Sequence, residues 1–477
     1  MTSQDSQSMT IGGHIADIRY PASLSDADAL FWRMERDPVL RSTIVVVWIA
    51  DRQPDSRRLE NTLRGAVRKI PRLHQRVVEV PIGGRPRWVD DHDFDPAFHI
   101  RRVGAPGDGS LRALLDLAGP IAMHAFDRDR PLWELYLVEG MAAGRFGVIL
   151  KVHHSLADGL GLMEMTAAMV ETRPDVERRE HAPWQPEGSP PSAASLAAAG
   201  VRERIGEGRR SLSRAAGSVG RAVAAAARHP LDAARTGLDL GTSAGRVMEP
   251  TTTPLSPLLT GRSPRVRLDA VEVSLADLKA AGAAVGATVN DAFLAALAGA
   301  MRKYHKRADQ PAPAIRVSMA VNRRDESTRT DAGNYVTGAR IVIPLDVADL
   351  RERIRRVHAI TGAALGESAT PYVMTILGGV GRISHTGSAR LLSAVQKATD
   401  LVASNVPGPP FTVYLSGAEI QRIIPFGPRV GAAANVTMMS YAGTCYIGIN
   451  TDPAAVTDTE GLVADVQADL AELAALA

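Results

Sequence analysis

The chain reads FGVILKVHHSLADGL over residues 146–160. The first seven residues are apolar except for one lysine, a run that predicts a buried β-strand. Two histidines, an aspartate and a glycine follow, and then an apolar stretch to Val170 that predicts a helix. Loops that connect regular elements are where functional residues concentrate. This order predicts an α/β fold with its chemistry at the junction between strand and helix.

Elements predicted on either side extend this pattern. Ser42–Ala50 is rich in Ile and Val and predicts a strand buried on both faces. Leu132–Val138 and Phe146–Val152 flank Gly140–Gly144, which predicts a hairpin, and Leu59–Ile70 predicts a helix. A second alternating pattern begins at residue 264. Its predicted strands are Val266–Val273, Ile315–Val321, Tyr335–Leu345 and short strands near Leu401, Ile420, Asn435–Tyr441 and Thr444–Asn450, and its predicted helices are Ala276–Val285, Val289–Tyr304 and Leu350–Ile360.

These patterns predict two α/β halves with a different segment between them. The boundaries we expect are 1–180 for an N-terminal domain, 181–262 for a linker and 263–477 for a C-terminal domain. The linker starts with the Pro-rich stretch Pro183–Pro191 and continues with Ala, Arg and Gly. It has nine arginines against four acidic residues between Ser195 and Val247, whereas the whole chain has a net charge of only +3.

Three interpretations of the basic linker remain open. It is a connecting helix with solvated arginines, a helix attracted to anionic lipid, or a nucleic-acid site. The basic segment Ser195–Val247 lacks the aromatic side chains on which nucleic-acid bases stack, so we expect no nucleic-acid partner.

The composition excludes several classes of site. The 477 residues include a single cysteine, Cys445, so neither an intrachain disulfide nor a cysteine-based zinc site is expected. Cys445 lies in an apolar strand pattern and is interpreted as a buried filler. The N-terminus has no apolar signal region, and no run approaches the roughly 20 apolar residues of a membrane span. We therefore expect a cytoplasmic protein.

The histidine pair suits acyl transfer to an alcohol. Imidazole has a pKa near neutrality, so it can accept the hydroxyl proton as the oxygen attacks a thioester. A zinc site would need a third ligand with suitable spacing, and a serine hydrolase would need glycines two residues on either side of the serine. Ser155 lacks that pattern. Asp158 is placed to fix the turn or to pair with a distant cation, and Gly159 allows the turn.

The run His-His-x-x-x-Asp-Gly at residues 153–159 is shared by chloramphenicol-acetyltransferase-like acyltransferases and peptide-synthetase condensation domains. From Leu24 to Asp458 the chain resembles the bacterial wax ester synthase/diacylglycerol acyltransferase family. Asp26 stands where the family has proline, a departure that concerns the N-terminal loop. The other matching elements are Leu24–Phe31, Pro131–Glu134, Thr288–Asp291, Gly333–Asn334, Asn405–Pro409 and Ser440–Tyr441.

This resemblance implies two chloramphenicol-acetyltransferase-like domains, each a mixed sheet with packed helices, joined by a helical crossover linker. It implies acyl transfer from acyl-CoA, a co-substrate, to diacylglycerol or a long-chain alcohol, with no metal and no cofactor. The partner surface would be the inner face of the cell membrane or a lipid droplet. His154 carries over as the general base and His153 as a supporting residue. Asp158 carries over as a structural acid, with Arg324 as its candidate partner.

Two further site residues come from the Asn-Asp element of the family. Asn290 and Asp291 either shape the site from the second domain or occupy the first turn of a helix that Thr288 caps. Two other functions stay open beside the neutral-lipid acyltransferase. One is a condensing or polyketide-ester acyltransferase that uses a carrier protein, and the other is a non-catalytic lipid-surface protein.

Overall fold

The computed structural model describes residues 20–81, 84–156, 159–176, 180–206, 253–322, 336–366 and 396–476. The strands of the N-terminal half are β1 Thr43–Ala50, β2 Gln75–Val78, β3 Arg87–Asp90, β4 Ile100–Gly104, β5 Trp133–Glu139 and β6 Phe146–His153. Those of the C-terminal half are β7 Arg267–Ser274, β8 Ala314–Asn322, β9 Val336–Pro344, β10 Leu401–Pro407, β11 Tyr414–Leu415, β12 Ala418–Phe426, β13 Ala434–Tyr441 and β14 Thr444–Thr451. The helices are α1 Asp26–Met34, α2 Ser56–Lys69, α3 Pro96–His99, α4 Leu111–Met123, α5 Gly159–Met169, α6 at 193–206, α7 Leu275–Ala283, α8 Val289–Arg307, α9 Leu350–Leu365 and α10 Thr459–Ala474.

The first sheet is built around β1. Its strand order is β11-β12-β1-β6-β5-β4, and β1 pairs antiparallel with both β6 and β12. All eight residues of β1 are buried, which confirms the prediction of a strand covered on both faces. Helix α2 packs on α5 and buries Leu59, Leu63 and Val67, which recur at the spacing of one helical face. The predicted hairpin is present as β5 and β6.

The second sheet has the order β7-β14-β13-β10-β8-β9 and its own hydrophobic core. Thr288 caps α8 as predicted, and α8 packs against α7, α9 and α10. The predictions for the second half end on strands, but the chain continues into α10. Asp458 caps this helix, and Leu462, Val466 and Leu470 line its buried face. The prediction missed it although its apolar spacing is helical.

The predicted domain boundary at residue 263 does not separate the two sheets completely. Strands β11 and β12 come from the C-terminal half and yet belong to the first sheet, where β12 completes the hydrogen-bonding edge of β1. A buried strand edge needs such a partner because unpaired backbone groups are costly inside a protein. Gly448 on β14 lies against β12, and a side chain there would collide with the carbonyl of Pro425. The two sheets are thus in close contact at this point.

The first part of the linker lies on the N-terminal half. Trp184 stacks on His74 with ring centroids 3.9 Å apart, within a stretch that has no regular secondary structure. Glu203 of α6 accepts hydrogen bonds from Arg85 at 2.7 Å and Ser23 at 2.8 Å. The predicted helical character is confirmed for 193–206, and residues 207–252 lie outside the described ones.

Candidate active site

His153 is the last residue of β6 and is completely buried. Its Nδ1 faces two groups of Ser155, the backbone N–H at 3.1 Å and the hydroxyl oxygen at 2.6 Å. Its Nε2 lies 3.2 Å from Oε2 of Glu35. Both ring nitrogens therefore face polar protein groups, and the ring is held inside the protein.

His154 is partly exposed, in contrast to its neighbour. Its backbone N–H donates to the carbonyl of Ser42 at 2.8 Å, and its ring lies 5.0 Å from the ring of Phe31. Successive side chains along a strand point to opposite sides, so the burial of His153 turns His154 the other way. Of the two rings, the one predicted to be the base is the one with accessible surface.

Glu35 follows α1 and contacts His153, and no pattern in the sequence marks it as a site residue. It is buried, and its Oε2 accepts the N–H of Ser42 at 2.9 Å. Burial alone raises the pKa of a carboxyl group. Here the contact with His153, the N–H of Ser42 and the guanidinium of Arg41 outweigh burial, so the pKa of Glu35 lies below its usual value. The carboxylate is therefore charged at neutral pH.

A second buried charge lies on the same strand. Lys151 is fully buried, with Nζ 3.2 Å from Oε1 of Glu134 and 4.2 Å from the centre of the Phe126 ring. Burial lowers the pKa of Lys151, and Glu134 opposes this effect. Glu134 also accepts hydrogen bonds from Tyr136 at 2.6 Å and Arg101 at 2.9 Å. The glutamate of the Pro-Leu-Trp-Glu element thus belongs to a buried ion network behind the histidines.

A signal for this network is present in the sequence. A lysine in the middle of an otherwise apolar strand must find a buried partner, because an unpaired charge is very costly there. The lysine in FGVILKV is such a residue. For Glu35 there is no comparable signal, since it lies among arginines and aspartates that resemble a solvated surface.

In the second half, Asp291 joins two helices. It is buried at the start of α8 and forms a capping box with Thr288. It also accepts hydrogen bonds from Nδ1 of His358 at 2.8 Å and the hydroxyl of Thr361 at 2.6 Å, both on α9. Burial raises its pKa, but these bonds outweigh burial and the pKa lies below its usual value. Asn290 donates to the sulfur of Met319 on β8 at 3.3 Å.

The remaining predicted residues are only partly described. Gly159 is the first residue of α5, whereas Asp158 and Arg324 lie outside the described residues. Within the described ranges, no group of three His, Cys, Asp or Glu side chains is arranged to hold a metal ion. Cys445 is buried on β14, where burial raises the pKa of its thiol to about 11, in keeping with the interpretation as a filler.

Two family models match the chain. The model for the wax ester synthase/diacylglycerol acyltransferase catalytic domain matches residues 24–293, and that for the WS/DGAT C-terminal domain matches residues 332–474. The candidate diacylglycerol O-acyltransferase Rv2484c of Mycobacterium tuberculosis is 34% identical over 467 residues, which cover 96% of this chain and 93% of the relative. A second candidate from the same organism, Rv3087, is 30% identical, and 86% of each chain is covered.

Solved structures with the same fold include a wax ester synthase/diacylglycerol acyltransferase from Marinobacter aquaeolei VT8. It has a TM-score of 0.63 and 23% identity, and the match covers 94% of this chain and 98% of that one. The first condensation domain of the calcium-dependent antibiotic synthetase has a TM-score of 0.61 and 17% identity, with 95% and 96% covered. These similarities and the two sheet-containing halves confirm the predicted chloramphenicol-acetyltransferase-like fold.

Proposed function

This chain belongs to the wax ester synthase/diacylglycerol acyltransferase family, and we propose that it transfers a long-chain acyl group from acyl-CoA to diacylglycerol. Long-chain alcohols are the second acceptor class, with wax esters as products. The observation that carries the proposal is the pair of histidines at the end of β6, one buried with both ring nitrogens close to polar groups, the other partly exposed.

In this mechanism His154 is the general base. Its imidazole takes the proton of the acceptor hydroxyl while the oxygen attacks the thioester carbonyl, which forms the new C–O bond and a tetrahedral intermediate. The intermediate collapses with cleavage of the C–S bond, and the imidazolium returns the proton to the departing CoA thiolate. No oxidant, metal or cofactor takes part. General-base assistance of this kind contributes roughly 10²–10⁴-fold to the rate.

The test measures CoA release by purified protein from labelled palmitoyl-CoA with dioleoylglycerol. His154→Ala should abolish most of the release, whereas His124→Ala, which removes an exposed histidine after α4, serves as a matched control and should leave it unchanged. No CoA release by wild type above the His154→Ala level would rule the function out.

Acceptor and donor are then compared in competition. Dioleoylglycerol, monooleoylglycerol and hexadecanol are offered together with one acyl-CoA, and the labelled products are separated. Dioleoylglycerol should give the largest share. An acyl-carrier protein loaded with the same acyl group serves as the competing donor, and a preference for it over acyl-CoA would point to the carrier-dependent alternative.

Access to water-insoluble acceptors requires contact with a lipid surface, and α6 supports such a contact. None of the described helices is long and apolar enough to cross a membrane. On α6, Val201 and Ile205 are 44% and 59% exposed and lie one turn apart, with the exposed Arg202 beside them. Leu196 and Gly200 on the opposite side face the protein. Apolar and basic side chains on one exposed face suit peripheral binding to anionic lipid.

Flotation with vesicles that contain phosphatidylglycerol tests this contact. The double variant Val201→Asp/Ile205→Asp should float less than wild type. Leu365→Asp is the matched control, because Leu365 is 59% exposed at the end of α9 in the other half. Equal flotation of all three proteins would show that α6 does not bind the vesicles. Since acyl-CoA is a cytoplasmic metabolite, we place the contact on the inner face of the membrane or on a lipid droplet.

A further inference from the structure

We propose that Glu35 is the positioning residue of the histidine turn and that it orients His154 through two backbone hydrogen bonds. The inference rests on the proposed function, since His154 is the group positioned. Glu35 does not belong to the His-His-x-x-x-Asp-Gly run. It is brought to the turn by α1, whose Phe31 and Trp32 lie against the rings of His154 and His153.

The hydrogen-bonding pattern of His153 assigns its tautomer. Ser155 directs two donors, its N–H and its hydroxyl, at Nδ1. A ring nitrogen that accepts these bonds carries a lone pair, so the ring proton lies on Nε2. Oε2 of Glu35 lies 3.2 Å from Nε2, the ring nitrogen that carries this proton. The carboxylate thus selects the tautomer that in turn accepts from Ser155.

The same carboxylate oxygen is also connected to the backbone of His154, through Ser42. Oε2 of Glu35 accepts the N–H of Ser42, and the carbonyl of Ser42 accepts the N–H of His154. Because Ser155 is held through His153, the residues before and after His154 are both connected to Glu35. One buried side chain therefore fixes the backbone on either side of the proposed base.

The geometry distinguishes this role from a purely electrostatic one. Oε2 accepts the hydrogen bond from Ser42 and lies 3.2 Å from Nε2 of His153, while Oε1 faces Arg41 at 3.9 Å. Glutamine can place its amide oxygen at the position of Oε2 and keep both contacts without the charge. Aspartate keeps the charge but its carboxylate is one methylene too short to reach both donors. A positioning role therefore predicts that Glu35→Gln is milder than Glu35→Asp, and a role of the charge predicts the reverse.

The experiment measures kcat, KM for palmitoyl-CoA and thermal stability for Glu35→Ala, Glu35→Asp and Glu35→Gln. A small displacement of a reacting group costs roughly 10²-fold in rate. We expect Glu35→Ala and Glu35→Asp to lose about that factor in kcat with KM changed little, and Glu35→Gln to lose roughly tenfold or less. Glu171→Ala is the control, because Glu171 is also buried and paired with an arginine, Arg58 at 2.9 Å. It should lower the melting temperature and leave kcat per folded molecule unchanged.

Each result separates the two proposals. Wild-type kcat in Glu35→Ala, or better activity in Glu35→Asp than in Glu35→Gln, overturns the positioning role and leaves the acyltransferase function standing. A loss of kcat that matches the unfolded fraction at the assay temperature, with Glu171→Ala behaving in the same way, also overturns it. Absence of CoA release by wild type overturns both.

Discussion

Each half of the protein has a cluster of buried charged side chains. The cluster of the first half lies on two strands and at the end of one helix, whereas that of the second half lies on three helices. Lys151 and Glu134 face each other on β6 and β5, and Glu35 follows α1. In the second half, Asp469 of α10 contacts Arg353 of α9 at 2.7 Å and Lys303 of α8 at 2.9 Å. Glu35 of the first cluster contacts His153 of the turn, while the charges of the second cluster join the helices that cover the second sheet.

We therefore expect the first cluster to affect catalysis and the second to affect stability. Removing Glu35 from the first cluster should change the rate through the orientation of the proposed base. Removing a partner in the second cluster should change the free energy of unfolding and leave the rate of the folded protein alone.

The two histidines should give the largest effect. His154→Ala should lower kcat by about 10²–10⁴-fold with little change in stability, because the ring is partly exposed. His153→Ala should lower kcat and also unfold more easily, because it leaves a cavity and removes one partner of a buried carboxylate. Initial rates and urea titrations of both variants measure this. Equal stability of the two variants would contradict the separation between the buried and the accessible ring.

Asp469→Ala should have the largest effect in the second half. The side chain is fully buried between two cations, and breaking a buried pair costs about 3–5 kcal/mol. Glu472→Ala is the matched control on the same helix. Glu472 also contacts Lys303, at 2.8 Å, but is half exposed, so its loss should cost about 0–1 kcal/mol. Urea titration gives both values, and kcat of the folded fraction should stay at the wild-type level. A loss of kcat in Asp469→Ala would show that the helical layer is coupled to the site.

Local patterns were sufficient to predict most of the fold. The continuous apolar run of β1 and the glycine-rich turn between β5 and β6 depend on neighbouring residues, and both predictions are confirmed. The pairing of β12 with β1 joins segments far apart in the chain, and no pattern within either segment predicts it. Helix α10 was missed although the helical spacing of Leu462, Val466 and Leu470 is visible in the sequence.

The residues of the candidate site also include some that local patterns predict and some that they do not. The histidine turn is visible because strand, turn and helix signals follow one another in a short stretch. Glu35 is not visible, because its role comes from contacts with Ser42 and His153 that only the folded chain creates. The roles assigned to Asp158 and Arg324 stay predictions, since both lie outside the described residues.

The pH dependence of stability should distinguish Asp291. Its pKa is lowered in the folded state, so its contribution is complete above the unfolded value of about 3.9 and is lost as the pH falls through the folded value. Asp291→Asn should therefore be less stable than wild type at neutral pH, and the gap should narrow below about pH 4. Urea titrations at a series of pH values measure this. Thr361→Val removes one donor to Asp291, so its acid-induced loss of stability should begin at higher pH. A gap that stays constant down to low pH would contradict the assignment.

Helix caps should give the smallest effects, and they allow the halves to be compared directly. Asp55 caps α2 through the N–H of Arg58, and Thr288 caps α8 through the N–H of Asp291. Loss of such a bond costs roughly 0.5–2 kcal/mol, so Asp55→Ala and Thr288→Ala should both lower the free energy of unfolding by about 1 kcal/mol. Thr288→Ala should be the more harmful, because the Thr288 hydroxyl also donates to the Asp291 carboxylate at 2.7 Å.

Thr288→Ser keeps the hydroxyl and is the control for this comparison. It should restore most of the stability lost in Thr288→Ala, since serine caps helices at least as well as threonine. Neither cap contacts the histidine turn through any hydrogen bond described above, so kcat should be unchanged in all three variants. If Thr288→Ala lowered kcat while Asp55→Ala did not, the Asn-Asp element would act on the site from the second half. The second of the two interpretations of Asn290 and Asp291, occupation of a helical first turn, would then be insufficient.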